Sequence, residues 1–262
     1  MSHRLLSVCA LVLLGLTGCA TTGGMESDRG SIERHVGENR QAAEINTELA
    51  AGYMRQGELK VSMEKVRRAI RFDSGYAPAH HVHALLLQRL GEDDKAAKAF
   101  AQAVRLDGEN SDMANNYGGF LCSQGDYERA QAMFRRAYGD PLYETPEYAL
   151  VNSGRCYQQA GDQTQALAQF RRAMDEGARQ PAALLGLAQA LLETGEGREA
   201  AEAMRQYESR HRHTPRSLSV AIAIDRAVSD EQALNNHRLI LRGRFPDSPE
   251  AQAQALEQEG SR

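Results

Sequence analysis

Gly57, Gly91, Gly125, Gly161 and Gly195 stand 34, 34, 36 and 34 residues apart. Self-similarity at about 34 residues is the signature of a helix–turn–helix solenoid, whose units pack only on their neighbours. Each glycine falls where a first helix (A) must end and the chain turn sharply, a position that favours positive φ. An acidic residue follows each one, Glu58, Glu92, Asp126, Asp162 and Glu196. There it complements the positive end of the second helix (B).

Counting each glycine as position 15 brings out the rest of the pattern. Position 20 is small: Ser62, Ala96, Ala130, Ala166 and Ala200. Position 24 is bulky and apolar: Val66, Phe100, Phe134, Phe170 and Met204. Small residues let helices A and B approach, and the large ones fill the gap between them. This pattern resembles the tetratricopeptide-repeat family, which implies an all-α, right-handed superhelical solenoid. Its repeats fall at 43–76, 77–110, 111–146, 147–180 and 181–214. A weaker sixth spans 215–247, with Ser229–Asp230 in place of glycine and acid. Terminal repeats are expected to deviate because they cap the stack. Repeats so packed make one continuous solenoid over 31–250, followed by a C-terminal tail at 251–262.

The amino terminus carries a separate signal. His3 and Arg4 precede an apolar run from Leu5 to Leu16, 12 residues long. Such a run is too short for a mature membrane span and right for a secretory signal. It closes in Leu16-Thr17-Gly18-Cys19, which resembles the lipobox of bacterial lipoproteins. The resemblance implies removal of residues 1–18 and acylation of Cys19 with chains such as palmitate, enough together to hold a protein on a membrane. Ala20, where retention signals carry aspartate, points to the outer membrane with the domain facing the periplasm. Residues 19–30 are polar and glycine-containing and read as a flexible tether.

Loss of Arg4 with the signal shifts the net charge from −4 to −5. No basic stripe or aromatic-plus-arginine module is present, which excludes nucleic acid as a partner. No phosphate loop, nucleophile elbow or paired acid dyad occurs, so neither an enzyme nor a small-molecule substrate is expected. His80, His81 and His83 share a helix, but no acid or cysteine completes a ligand set. They read as packing or surface residues, and no metal site is expected. His211 and His213 end a B helix, where cations suit the dipole. Cys122 and Cys156 fall on consecutive A helices in an oxidising compartment. Side-by-side A helices bring them within reach of a disulfide closing about 34 residues, worth roughly 4 kcal/mol. The alternative is two small buried residues filling helix contacts.

Asn115-Asn116-Tyr117-Gly118-Gly119-Phe120-Leu121-Cys122, Asp140-Pro141-Leu142-Tyr143-Glu144-Thr145-Pro146-Glu147 and the closing Leu241-Arg242-Gly243-Arg244-Phe245-Pro246-Asp247-Ser248-Pro249-Glu250 narrow the family. With the lipobox and six repeats, they resemble the type IV pilus biogenesis lipoproteins of the PilF/PilW type, or pilotins. The resemblance implies a monomeric outer-membrane lipoprotein without a cofactor beyond its lipid. Its partner would be the pilus secretin (PilQ-like), whose localisation and multimerisation it supports. Recognition is expected on the inner groove of the A helices, through Met54, His81, Leu85, Gln88, Asn115, Asn116, Val151, Arg155 and Gln158. Amides there suit the backbone of an extended peptide. Two alternatives stay open: an adaptor lipoprotein scaffolding cell-wall or outer-membrane assembly factors, and a direct stabiliser of pili. Repeat 3 is two residues longer than its neighbours, and the surplus at Asp140–Pro146 reads as a structural bend.

Overall fold

The computed structural model describes residues 23–260. The signal segment 1–18 and Cys19 lie outside the described residues. Among the described residues there are thirteen α-helices and no strand. They pair as α1 (Gly23–Gln56) with α2 (Leu59–Phe72), α3 (Ala77–Arg89) with α4 (Asp93–Leu106), and α5 (Ser111–Ser123) with α6 (Tyr127–Tyr138). Next come α7 (Pro146–Gln159) with α8 (Gln163–Asp175), α9 (Pro181–Glu193) with α10 (Gly197–Arg210), and α11 (Pro215–Val228) with α12 (Glu231–Arg244). A last helix, α13 (Pro249–Gly260), packs on α11 and α12. Each A helix also lies against the A helix of a neighbouring repeat, as α5 on α7 and α7 on α9.

The turn between A and B is built the same way throughout. Gly91 has φ 73°, and the amide of Glu92 then donates to Leu87 O at 2.9 Å, closing the end of α3. The equivalent amides of Asp126, Asp162, Glu196 and Asp230 make the same bond to Leu121, Tyr157, Leu191 and Asp225. In the sixth repeat Ser229 takes the glycine's place at φ 59°, the only non-glycine at positive φ among the described residues. The acidic residue is the N-cap of helix B rather than part of its first turn. Asp126, Asp162 and Asp230 each accept the backbone N–H three residues on, whereas Glu58, Glu92 and Glu196 do not. The aspartate carboxyl is one methylene closer to the backbone and reaches the free amide.

The core follows the phased positions. Ser62, Ala96, Ala130, Ala166 and Ala200 are buried, and so are Val66, Phe100, Phe134, Phe170 and Met204. Gly186 on α9 must be glycine, because an added Cβ would overlap the Phe170 ring. Two buried polar side chains bond across the helices: Ser62 Oγ donates to Ala50 O at 2.8 Å, and Gln131 Nε2 to Ser153 O at 3.1 Å.

Two sequence boundaries need correction. Residues 23–30, expected as tether, belong to α1, since no proline interrupts the chain before Pro78 and α1 can propagate backwards from the packed repeat. From residue 37 on, its first buried side chain is Ala43, and Arg40 fastens it to Asp73 at 3.1 Å and over the Tyr76 ring. Residues expected as a C-terminal tail form α13. Ser248 Oγ accepts the Ala251 amide, Pro249 occupies the first helical position, and Ala251 and Gln254 are buried. No helix of the described residues is long and apolar enough to cross a membrane.

Candidate functional site

Helices α3, α5 and α7 run side by side, and their exposed edges enclose a groove of about 320 Å³ on the A-helix face. Leu85, Gln88, Asn115, Asn116 and Arg155 line it, together with Gly119, Ser123, Asn152 and Gln159. Phe120, Phe134, Cys122 and Cys156 form its floor. The two cysteines are joined as a disulfide, with Cα atoms 5.8 Å apart, which ties α5 to α7 directly beneath the groove.

Position 5 of one repeat meets position 6 of the next across this surface. Asn116 Nδ2 lies 3.1 Å from His81 Nε2, and Asn152 Nδ2 donates to Asn115 Oδ1 at 3.0 Å. Burial holds His81 below the ordinary histidine range, against a smaller upward pull from Asp112. A neutral imidazole with its Nε2 lone pair free accepts from the Asn116 amide, consistent with that depression. Arg155 is exposed and is the only charged residue in the groove lining. The arrangement offers amides for a peptide backbone, the half-buried Leu85 for an apolar side chain, and one guanidinium for a carboxylate.

Four expected groove residues lie outside the lining; His81 stands behind Asn116, and the other three lie elsewhere. Val151 is 3 % exposed and packs in the core with Leu184 and Ala188. Position 5 faces the next A helix, so a polar residue there bonds across while a valine is simply buried. Met54 packs beside Ala50, Val66 and Leu86 and contributes only its carbonyl, which accepts from Arg89 Nη1 at 2.6 Å. Gln158 points to Gly186 O at 3.4 Å, and its neighbour Gln159 lines the groove instead. Asn152 was not among the expected residues. Its signal was available, because it stands at the same repeat position as Asn116.

The insertion at Asp140–Pro146 folds back on its own repeat. Asp140 accepts from Ser111 Oγ at 2.7 Å and from the Leu142 amide at 2.9 Å, and these bonds hold its carboxyl below the usual range. Tyr143 OH donates to Asp112 Oδ1 at 3.0 Å. Leu142 is left 86 % exposed at the tip.

Two family models describing tetratricopeptide repeats match residues 81–149 and 157–220. The chain is 28 % identical over 242 residues to the type IV pilus assembly protein PilF of Pseudomonas aeruginosa, covering 92 % of this chain and 94 % of that one. A solved structure of P. aeruginosa PilF superposes with a TM-score of 0.76 at 26 % identity, covering 84 % of this chain and 99 % of that one. The crystal structure of PilW, a widely conserved type IV pilus biogenesis factor, also gives 0.76, at 29 % identity over 82 % of this chain and 99 % of that one. The tetratricopeptide scaffold is a protein-interaction fold. This chain belongs to the tetratricopeptide-repeat family and is similar to PilF over nearly all of its length and to PilW over most of it.

Proposed function

We propose that this protein is a lipid-anchored pilotin that supports type IV pilus biogenesis by helping the pilus secretin reach the outer membrane and multimerise. The observation that carries the proposal is similarity to PilF over 92 % of this chain and 94 % of that one. Two features support it. Leu16-Thr17-Gly18-Cys19 supplies a site for acylation, and the groove between α3 and α7 supplies one for recognition. In this reading the lipid fixes the compartment and the groove selects the partner, so neither suffices alone. The stretch of α1 before Ala43 separates anchor from groove, at about 1.5 Å per residue.

The groove chemistry defines the ligand within this proposal. Paired amides at His81–Asn116 and Asn115–Asn152 match an extended backbone, and Arg155 selects an acidic side chain or a free carboxylate. The proposal is tested by deleting the gene and resolving secretin multimers from outer membranes on gels. We expect multimers to collapse to monomers and to return with the wild-type protein but not with Cys19→Ala. Multimers unaffected by the deletion would contradict it.

A further inference from the structure

Outside the groove, three metal-ligating side chains from distant parts of the sequence converge at the junction of repeats 5 and 6. Glu208 comes from α10, His213 from the segment between α10 and α11, and His237 from α12. Each of the three offers a ligand atom within 4.8 Å of the others, with Glu208 Oε1 close to the Nε2 atoms of both histidines. We infer that this cluster is a binding site for a divalent transition-metal ion of the zinc class, with Glu208, His213 and His237 as ligands.

The hydrogen bonds behind the ligands carry the inference. His237 Nδ1 sits 2.7 Å from Asp225 Oδ2, a carboxylate that can only accept, so Nδ1 carries the proton. His213 Nδ1 sits 3.3 Å from Ser217 Oγ. That hydroxyl already donates to Thr214 O and accepts from the Thr214 amide, so it takes the His213 proton as an acceptor. In the neutral tautomers both rings therefore present an Nε2 lone pair to the same place. Facing them is Glu208 Oε1, itself an acceptor, 3.1 Å from His237 Nε2 and 3.7 Å from His213 Nε2. This oxygen is buried, and apart from the two imidazoles it has no partner. With both rings neutral, three electron-pair donors aim at one point, and a cation placed between them satisfies all three.

The dimensions fit. Ligands of tetrahedral zinc, at about 2.0–2.1 Å from the metal, stand about 3.3 Å from each other, and the two carboxylate–imidazole separations bracket that value. Two histidines and one carboxylate form a known zinc donor set, and a carboxylate behind a ligating histidine is its usual support. Asp225 and Glu208 supply two negative charges, while Arg244 adds one positive charge whose field reaches His213. A cavity of about 160 Å³, walled by Met204, Ile224 and Val228, opens on Glu208 and His237 and has room for a water as fourth ligand. Metal at this point would clamp the end of repeat 5 to the terminal repeat and hold the C-terminal cap of the solenoid closed.

The test uses the whole mature chain without a histidine tag, stripped with chelator and titrated calorimetrically with Zn²⁺. We expect one saturable equivalent per chain and a higher melting temperature. Asp225→Asn should weaken binding by about 10- to 100-fold, Glu208→Gln and His213→Gln should abolish it, and His80→Gln should leave it unchanged. Because variants in this junction also affect folding, Co²⁺ on the wild-type chain gives an independent readout, with the intense visible bands of tetrahedral coordination expected. No saturable binding, no such bands, or unchanged affinity in a folded Glu208→Gln or His213→Gln variant would overturn the site.

Discussion

Asn152 donates to Asn115 across 3.0 Å, and the two residues stand at positions 6 and 5 of adjacent repeats on the groove surface. Asn115 is largely buried, and Asn152 is the partner its carbonyl has across the repeat junction. We expect Asn152→Ala to strand that carbonyl at a cost of about 1–3 kcal/mol. Replacing both residues by alanine should cost less than the sum of the single changes. A double-mutant cycle by urea denaturation measures the difference, and strict additivity would show that the pair is not coupled.

The disulfide beneath the groove joins residues 34 apart in sequence. Closing a loop of that length restricts the unfolded chain and is worth about 4 kcal/mol in the chain-entropy treatment. The Cys122→Ser/Cys156→Ser double variant should therefore unfold at markedly lower urea than the oxidised protein. It should also lose the wild-type protein's sensitivity to reductant. Equal midpoints for oxidised and reduced wild type would contradict a role in stability.

Ser229 holds a left-handed conformation, φ 59° and ψ 35°, where the other repeats have glycine. A side chain there costs about 1–2 kcal/mol, offset in part by the larger unfolded-state entropy of glycine. Ser229→Gly is expected to raise stability by about 0.5–1 kcal/mol, read as a shift in the denaturation midpoint without change of slope. Destabilisation would mean that the serine hydroxyl makes a contribution greater than the backbone cost.

His81 gives the groove a dependence on pH. Burial depresses its pKa in the folded protein, so the unfolded chain takes up a proton at higher pH than the folded one. The stability associated with neutral His81 is complete above about pH 6.5 and is lost as pH falls from there toward the depressed folded value. His83 is shifted the same way, by burial first and then by Arg67. Between about pH 7.5 and about pH 5.5 the wild-type midpoint should fall further than that of His81→Gln. Equal falls would remove His81 as a source of the effect.

The repeat architecture was legible because spacing, turn glycines and small–large alternation all report the same local geometry. Gly91, Ala96 and Phe100 each have one role in one repeat, and the period multiplies the signal. The groove was only half legible. Leu85, Gln88, Asn115, Asn116 and Arg155 share it, but Val151 shows that repeat position alone does not decide between groove and core. The facing helix decides, and its contacts are set by packing between repeats. The acidic N-caps show the same limit: Asp162 reaches the Gln165 amide and Glu92 reaches none, a difference of one methylene. Glu208, His213 and His237 were illegible, since the first two are separated by five positions and the third lies a whole helix away. Only the stacking of repeat 6 on repeat 5 brings them together.

Arg155 offers the most direct test of the central claim, because it is exposed and its replacement disturbs no buried contact. Arg155→Glu, expressed from the native locus in the deletion background, reverses the single charge of the groove lining while leaving the lipid site intact. We expect the variant to accumulate in the outer membrane at wild-type level and to fail to restore secretin multimers. Full restoration of multimers by Arg155→Glu would contradict recognition through this groove.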